Sequence, residues 1–108
     1  MEVHDEIILD VAEFFKVFGE PSRIRILYAL TEREMGVGEL VEAVGMSQPS
    51  VSHQLRVLRQ NGLVKYRKDK KSVIYSLDDK HVETLLKQGL EHVKHKNNYH
   101  AHNEEDAE

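Results

Sequence analysis

The sequence predicts a mainly α-helical domain with one small β-hairpin, arranged as a winged helix-turn-helix. Three observations support this fold class. Apolar residues recur at helical spacing over most of the chain, a short and a longer helix flank a glycine-containing turn, and two alternating segments follow them. The chain has 108 residues, 40% hydrophobic and 31% charged, which suits one folded domain.

The first half of the chain predicts three helices. Apolar spacing from Glu6 to Phe18 is helical, and a glycine ends that segment. Pro21 opens a second helix, because proline is favoured in the first helical turn. Residues 31–38 are predicted to form mainly a loop, which leads into a short third helix over Val37 to Val44.

The fourth helix begins at Ser47, whose hydroxyl suits an N-cap, and it stops at Asn61-Gly62. Its apolar positions predict a core-facing side: Val51, Leu55 and Leu58. Together with the third helix it forms the predicted helix-turn-helix.

Two alternating segments, Leu63 to Arg67 and Ser72 to Leu77, predict a hairpin whose tip is the basic link Lys68 to Lys71. A last helix starts at Asp78 or Asp79 and runs to about Lys96. We therefore expect one DNA-binding and dimerisation domain over residues 1–96. A flexible tail bearing histidines and acidic residues follows over residues 97–108.

The charge is unevenly distributed. The formal net charge is -4, yet the stretch from Gln48 to Lys71 holds seven basic residues and only one acidic residue. A local basic stripe on an acidic protein is compatible with binding to phosphates. The chain has no cysteine, no cleavable leader pattern and no apolar run near the roughly 18 residues of a membrane span. These features predict a cytoplasmic protein.

The fourth helix has the residues expected of a DNA-reading helix. Glutamine pairs bidentately with adenine, arginine pairs with guanine or phosphate, and short hydroxyl side chains allow close approach to base edges. The predicted contacts on this helix are Gln48, Ser50, Ser52, His53, Gln54 and Arg56. The hairpin is the wing of this fold, and its residues Lys68, Lys70 and Lys71 are predicted to contact phosphates or a minor groove.

The last helix presents a set of metal-ligand side chains: Asp79, His81, His92 and His95. At 100° per residue the three histidines share one face, but His81 and His92 are separated by roughly 16 Å of helix rise. One helix therefore cannot bring them to a single ion. Antiparallel packing against a second copy would join Asp79 and His81 of one chain to the other two ligands of its partner. This arrangement predicts two tetrahedral sites per dimer, suited to zinc.

Two alternatives remain open at this point. A six-ligand nickel or cobalt site would recruit further histidines, for which His4, His100 and His102 are the candidates. A winged-helix regulator that does not respond to metal is the other. An enzyme is not expected, because four protein ligands leave no open position for water and the sequence has no phosphate loop or nucleophile elbow.

The chain resembles the ArsR/SmtB family of metal-responsive repressors over roughly Ile7 to His95. The similarity is carried by Phe18 to Leu27, Met46 to Leu55 and Val73 to Asp79. The pattern Asp79-x-His81 followed by His92-x-x-His95 looks like the zinc and cobalt site on the C-terminal helix of this family, and the chain is most similar to its zinc/cobalt efflux repressors.

The resemblance implies a homodimer paired through its first and last helices. It also implies that the metal-free dimer binds an operator and that metal releases it, which derepresses metal efflux or resistance genes. Family members that use thiolate ligands carry cysteines on the third helix, but the corresponding stretch here, Gly38 to Glu42, has none. This difference argues against arsenite, cadmium or lead sensing through that site.

Overall fold

The computed structural model describes residues 2–97, which form five helices and a two-stranded antiparallel hairpin. The elements in chain order are α1 (Asp5–Phe18), α2 (Pro21–Glu32), α3 (Val37–Val44), α4 (Gln48–Gln60), β1 (Val64–Asp69), β2 (Ser72–Leu77) and α5 (Lys80–Lys96). The predicted winged helix-turn-helix is confirmed. Of the predicted tail, only Asn97 lies within the described residues.

The loop predicted over residues 31–38 is shorter than expected. Helix α2 continues to Glu32, and α3 begins at Val37 because the Glu39 carboxylate accepts the Gly36 N–H at 3.1 Å. Within the remaining loop, Met35 forms an antiparallel bridge with Tyr75 of β2, with N–O distances of 3.0 and 2.8 Å. The loop therefore fixes the hairpin to the helical core, which apolar spacing did not reveal.

Strand β2 has the predicted bounds, whereas β1 ends later than predicted. Strand β1 extends to Asp69, and the tip is reduced to Lys70 and Lys71. The chain reverses in two residues because Lys70 adopts a left-handed conformation with φ of 59°. Both tip lysines are exposed.

The core lies among α2, α3, α4 and the base of the hairpin, and the first turns of α5 close one side. Its fully buried side chains come from five elements and the segment after α4: Ile26, Leu27, Leu40, Val51, Leu55, Leu58, Leu63, Val64 and Leu86. Helix α5 is fixed to α2 by the Tyr28 hydroxyl, which donates to the Leu86 carbonyl at 2.6 Å. None of the helices within residues 2–97 combines the length and apolar character needed to cross a lipid bilayer.

Two helices carry large apolar side chains that no other part of residues 2–97 covers. On α1 these are half-exposed and lie on one face: Ile7, Ile8, Val11 and Phe15. On α5 the buried stripe of Val82 and Leu86 continues at helical spacing into Leu90 and Val93, which are exposed by 44% and 45%. Contiguous apolar surface of this kind marks an interaction face.

Candidate functional site

Helix α4 presents one face to the core and the opposite face to solvent. The Ser47 hydroxyl caps it by accepting the Ser50 N–H at 3.3 Å, and Pro49 lies in its first turn. The predicted DNA contacts Gln48, Ser50, His53 and Arg56 are exposed, whereas Ser52 and Gln54 are half-buried. The exposed residues lie where a recognition helix would meet the major groove.

Gln54 is held by a neighbouring helix. The Arg23 guanidinium donates from Nε to the Gln54 Oε1 at 2.8 Å and from Nη1 to the Val17 carbonyl at 3.2 Å. Arginine is only a donor, so the amide oxygen of Gln54 must face it and the NH₂ group must face away. This bond engages one of the two lone pairs of the Gln54 oxygen and fixes the orientation of the amide, while the bidentate pair of Gln54 with adenine stays a prediction.

Removing the Arg23 bond is expected to affect stability and DNA reading together. Arg23→Leu should lower the free energy of unfolding by about 1.5–3 kcal/mol, because it deletes hydrogen bonds to a charged group. Since the Gln54 amide is no longer held in one orientation, the base preference of the protein should also change. Urea titration and selection from a randomised DNA library would measure these two effects. Arg25→Leu, on the exposed side of the same helix, is the control and should change neither.

The wing lysines occupy two different places. Lys70 and Lys71 are at the exposed tip, while Lys68 lies on the face of β1 that is turned toward α4. There it borders the helix–wing cavity, a space of about 330 Å³ between α4 and the hairpin. The residues lining this cavity are Ser52, Arg56, Arg59, Tyr66, Lys68, Val73 and Tyr75. Arg59 and Tyr66 were missed from the sequence, although their helical and strand spacing relative to Arg56 and Lys68 would have indicated them.

Asp79 is the N-cap of α5. Its Oδ1 accepts the backbone N–H groups of His81 and Val82 at 2.9 and 3.1 Å. Its Oδ2 lies 3.5 Å from Nδ1 of His81, whose side chain is 98% exposed. The hydrogen bond from Val82 holds the pKa of Asp79 below its usual value. One carboxylate oxygen therefore starts the helix, and the other lies beside an exposed imidazole, where the sequence predicts one half of a metal-ligand set.

The two roles of Asp79 are separable by substitution. Asp79→Asn keeps a good helix cap but replaces an anionic ligand by an amide, so it should leave thermal stability nearly unchanged and weaken zinc binding by about tenfold or more. Asp79→Ala should also lower the melting temperature by a few degrees, because the cap is lost. Calorimetric melting and competitive zinc titration would distinguish these effects. Asp78→Asn is the matched control, and equal loss of zinc affinity in this variant would contradict the assignment.

His92 and His95 lie together near the other end of α5. Both are exposed and border one shallow depression with Gln88 and Glu91. Among residues 2–97 of the single protomer, no three histidine, aspartate or glutamate side chains are grouped closely enough to hold a metal ion. The donor chemistry of the two pairs fits zinc, but each pair is only half of a tetrahedral set. The joining of the two halves across a dimer stays a prediction.

Of the additional candidate ligands, only His4 lies within the described residues, and it is not grouped with either pair in the protomer. His4 is exposed and precedes α1 as its N-cap residue, without a side-chain capping bond. His100 and His102 lie outside the described residues. The six-ligand alternative therefore also stays a prediction.

Comparison with known proteins identifies a match to the family model for bacterial regulatory proteins of the arsR family over residues 20–66. A transcriptional repressor SmtB homologue of Synechocystis is 44% identical over 84 residues, which are 78% of this chain and 64% of that protein. The regulator NmtR of Mycobacterium tuberculosis is 45% identical over 79% of this chain and 71% of its own length.

Solved structures agree with the fold. The crystal structure of M. tuberculosis Rv0081 matches with a TM-score of 0.79 and 36% identity, over 92% of this chain and 99% of that one. The homodimeric winged helix-turn-helix DNA-binding domain of Mb0332 from Mycobacterium bovis matches with a TM-score of 0.75 and 26% identity, over 86% and 93% of the two chains.

Proposed function

This chain belongs to the ArsR family of bacterial regulatory proteins, and we propose that it is a zinc- or cobalt-responsive repressor that acts in the cytoplasm as a homodimer. The metal-free dimer binds operator DNA through α4 and the wing. Metal binding between the two copies of α5 weakens that binding and derepresses metal efflux or resistance genes.

The observation that carries this proposal is the pair of incomplete donor sets on one exposed face of α5. Asp79 and His81 form one set, and His92 and His95 form the other. Each set lacks two donors of the four that a structural zinc site uses. Antiparallel pairing of two α5 helices supplies them twice, which gives two ions per dimer. The unpartnered apolar faces of α1 and α5 support pairing through these helices.

Communication between this site and the DNA-binding surface has a short route along the chain. The Asp78 N–H, directly before the metal-ligand candidate Asp79, donates to the carbonyl of Leu63 at 3.0 Å. Leu63 follows the end of α4 and is fully buried. Tyr28 provides a second attachment at Leu86, and burial raises the pKa of its hydroxyl, which keeps it a donor. A change in how the α5 helices pair would therefore shift the two α4 helices relative to each other.

The physical basis of release is linkage. A dimeric helix-turn-helix protein needs a fixed spacing between its recognition helices to match two half-sites. Bound metal would supply a bridge that favours one arrangement of the two α5 helices. If that arrangement fits the operator poorly, then metal and DNA weaken each other by the same factor, commonly 5- to 150-fold.

The test is operator binding measured by fluorescence anisotropy with a chelator and then with zinc, cobalt or nickel. We expect tight binding with the chelator and at least about fivefold weaker binding with zinc or cobalt. Equal binding in all conditions would favour the metal-independent regulator. The absorption spectrum of bound cobalt would report four-ligand or six-ligand geometry. Loss of a nickel response after truncation beyond Lys96 would favour the six-ligand site with terminal histidines.

A further inference from the structure

The helix–wing cavity has basic side chains on two of the three elements that form it. Arg56 and Arg59 approach from α4 and Lys68 from β1, and none of the acidic residues within residues 2–97 lines the space. The nearby acidic side chains of Glu34 and Asp69 are paired with Arg67. Strand alternation places Arg67 on the opposite face of β1 from Tyr66 and Lys68. Three cationic side chains therefore share a recess, and no carboxylate of the described part of the chain forms an ion pair with them.

Two tyrosine rings support one of these cations, Arg59. The Arg59 guanidinium lies over the ring of Tyr66, 4.8 Å from its centroid, and Tyr66 in turn packs against Tyr75 with centroids 5.8 Å apart. An arginine that lies over an aromatic face keeps the N–H groups at the edge of its guanidinium free to donate to a ligand. Tyr75 is fixed by its backbone bridge to Met35. The N–H donors of Arg59 are thus positioned before any ligand binds, which reduces the conformational entropy lost on binding.

We propose that the helix–wing cavity is a receptor for one phosphate group of the operator backbone, with Arg59 and Lys68 as its principal ligands. This inference rests on the proposed operator binding and specifies one part of it. The exposed residues of α4 are available to contact base edges. The cavity is recessed beside the helix, where the phosphate backbone at the border of the DNA major groove would lie. Arg56 and the Ser52 hydroxyl complete the receptor from the same side of α4.

The first test is the salt dependence of operator affinity. Each lost phosphate contact reduces the slope of log affinity against log salt by about 0.9. Each homodimeric variant would lose one contact in each half-site, so we expect a reduction of about 1.8 for Arg59→Gln and for Lys68→Gln. Lys65→Gln is the matched control, because Lys65 is exposed on the opposite face of the same strand, and it should keep the wild-type slope. An equal reduction in Lys65→Gln would overturn the proposal, since it would indicate only a general effect of charge.

The second test locates the phosphate. Operator duplexes carrying a single neutral methylphosphonate at successive positions are titrated with wild type and with Arg59→Gln. One position per half-site should weaken wild-type binding but leave Arg59→Gln without further loss. Tyr66→Phe should behave as wild type, whereas Tyr66→Leu, which removes the ring under Arg59, should resemble Arg59→Gln. Absence of any position with this coupling would overturn the proposal.

A third measurement distinguishes a free anion from DNA. Inorganic phosphate is titrated into the metal-free protein while the ring signals of Tyr66 and Tyr75 are followed by NMR. Saturable binding of phosphate together with no methylphosphonate coupling would assign the cavity to a free anion and overturn the backbone assignment. Failure of this inference differs from failure of the proposed function. If only this inference fails, the wild-type protein still binds the operator and releases it with zinc, while Arg59→Gln and Lys65→Gln show the same salt dependence of operator affinity.

Discussion

Two variants that bind no zinc as homodimers should regain one zinc site when they are mixed. One variant combines Asp79→Ala with His81→Ala, and the other combines His92→Ala with His95→Ala. Each homodimer lacks half of every ligand set. In the mixed dimer, one of the two metal sites unites the intact Asp79 and His81 of one chain with the intact His92 and His95 of the other. If the ligands of one ion came from a single chain, no intact site would form.

The expected effect is large. Loss of a group that only supports a ligand typically weakens metal binding 10- to 100-fold. Loss of two direct ligands should therefore weaken zinc binding by more than about 100-fold. The mixed dimer should bind one ion near wild-type affinity, compared with two for the wild type. Differently tagged chains, refolded together and purified as the mixed dimer, allow this count by competitive titration.

The control for this experiment is His53→Ala, which removes an exposed histidine of α4 far along the chain from α5. It should leave zinc binding unchanged and affect only operator binding. A mixed dimer without zinc would contradict the split site. Full zinc affinity in the His92→Ala, His95→Ala homodimer would show instead that other residues supply the ligands.

The second large effect is expected from a charge in the apolar face of α1. Ile8→Glu should convert the dimer into a folded monomer, because Ile8 is half-exposed in the protomer and lies outside its core. Burying an unpaired carboxylate at a dimer interface is far more costly than leaving it in water. A monomer would lose both zinc sites, and it would lose the avidity of binding two half-sites, which is commonly 10²- to 10⁴-fold.

Leu9→Glu is a closely matched control for Ile8→Glu. The two residues are adjacent in the chain, but they point to different faces of α1, and Leu9 is 69% exposed, away from the stripe of Ile7, Val11 and Phe15. Leu9→Glu should remain dimeric and bind operator as wild type does. Sedimentation velocity gives the mass, and anisotropy gives the affinity. A dimeric Ile8→Glu protein would show that α1 does not form the interface.

The sequence predicted the helices well because their apolar spacing is regular and their ends carry strong local signals. Ser47 and Pro49 mark the start of α4, and Asp79 marks the start of α5. It was less accurate where long-range pairing decides the outcome. Met35, in the segment predicted to be a loop, pairs with Tyr75 of β2, and β1 extends to Asp69 because its pairing with β2 continues to Ser72.

The sequence by itself determined the fold class and the placement of Asp79, His81, His92 and His95 on one helix, since both follow from local periodicity and a fixed rise per residue. Only the tertiary structure decided which atoms remain available for function. Arg23 occupies the Gln54 oxygen across 31 residues of chain, and Arg59 stacks on Tyr66 of the wing. Such contacts join residues distant in the chain, and no local pattern specifies which of several possible partners a side chain meets.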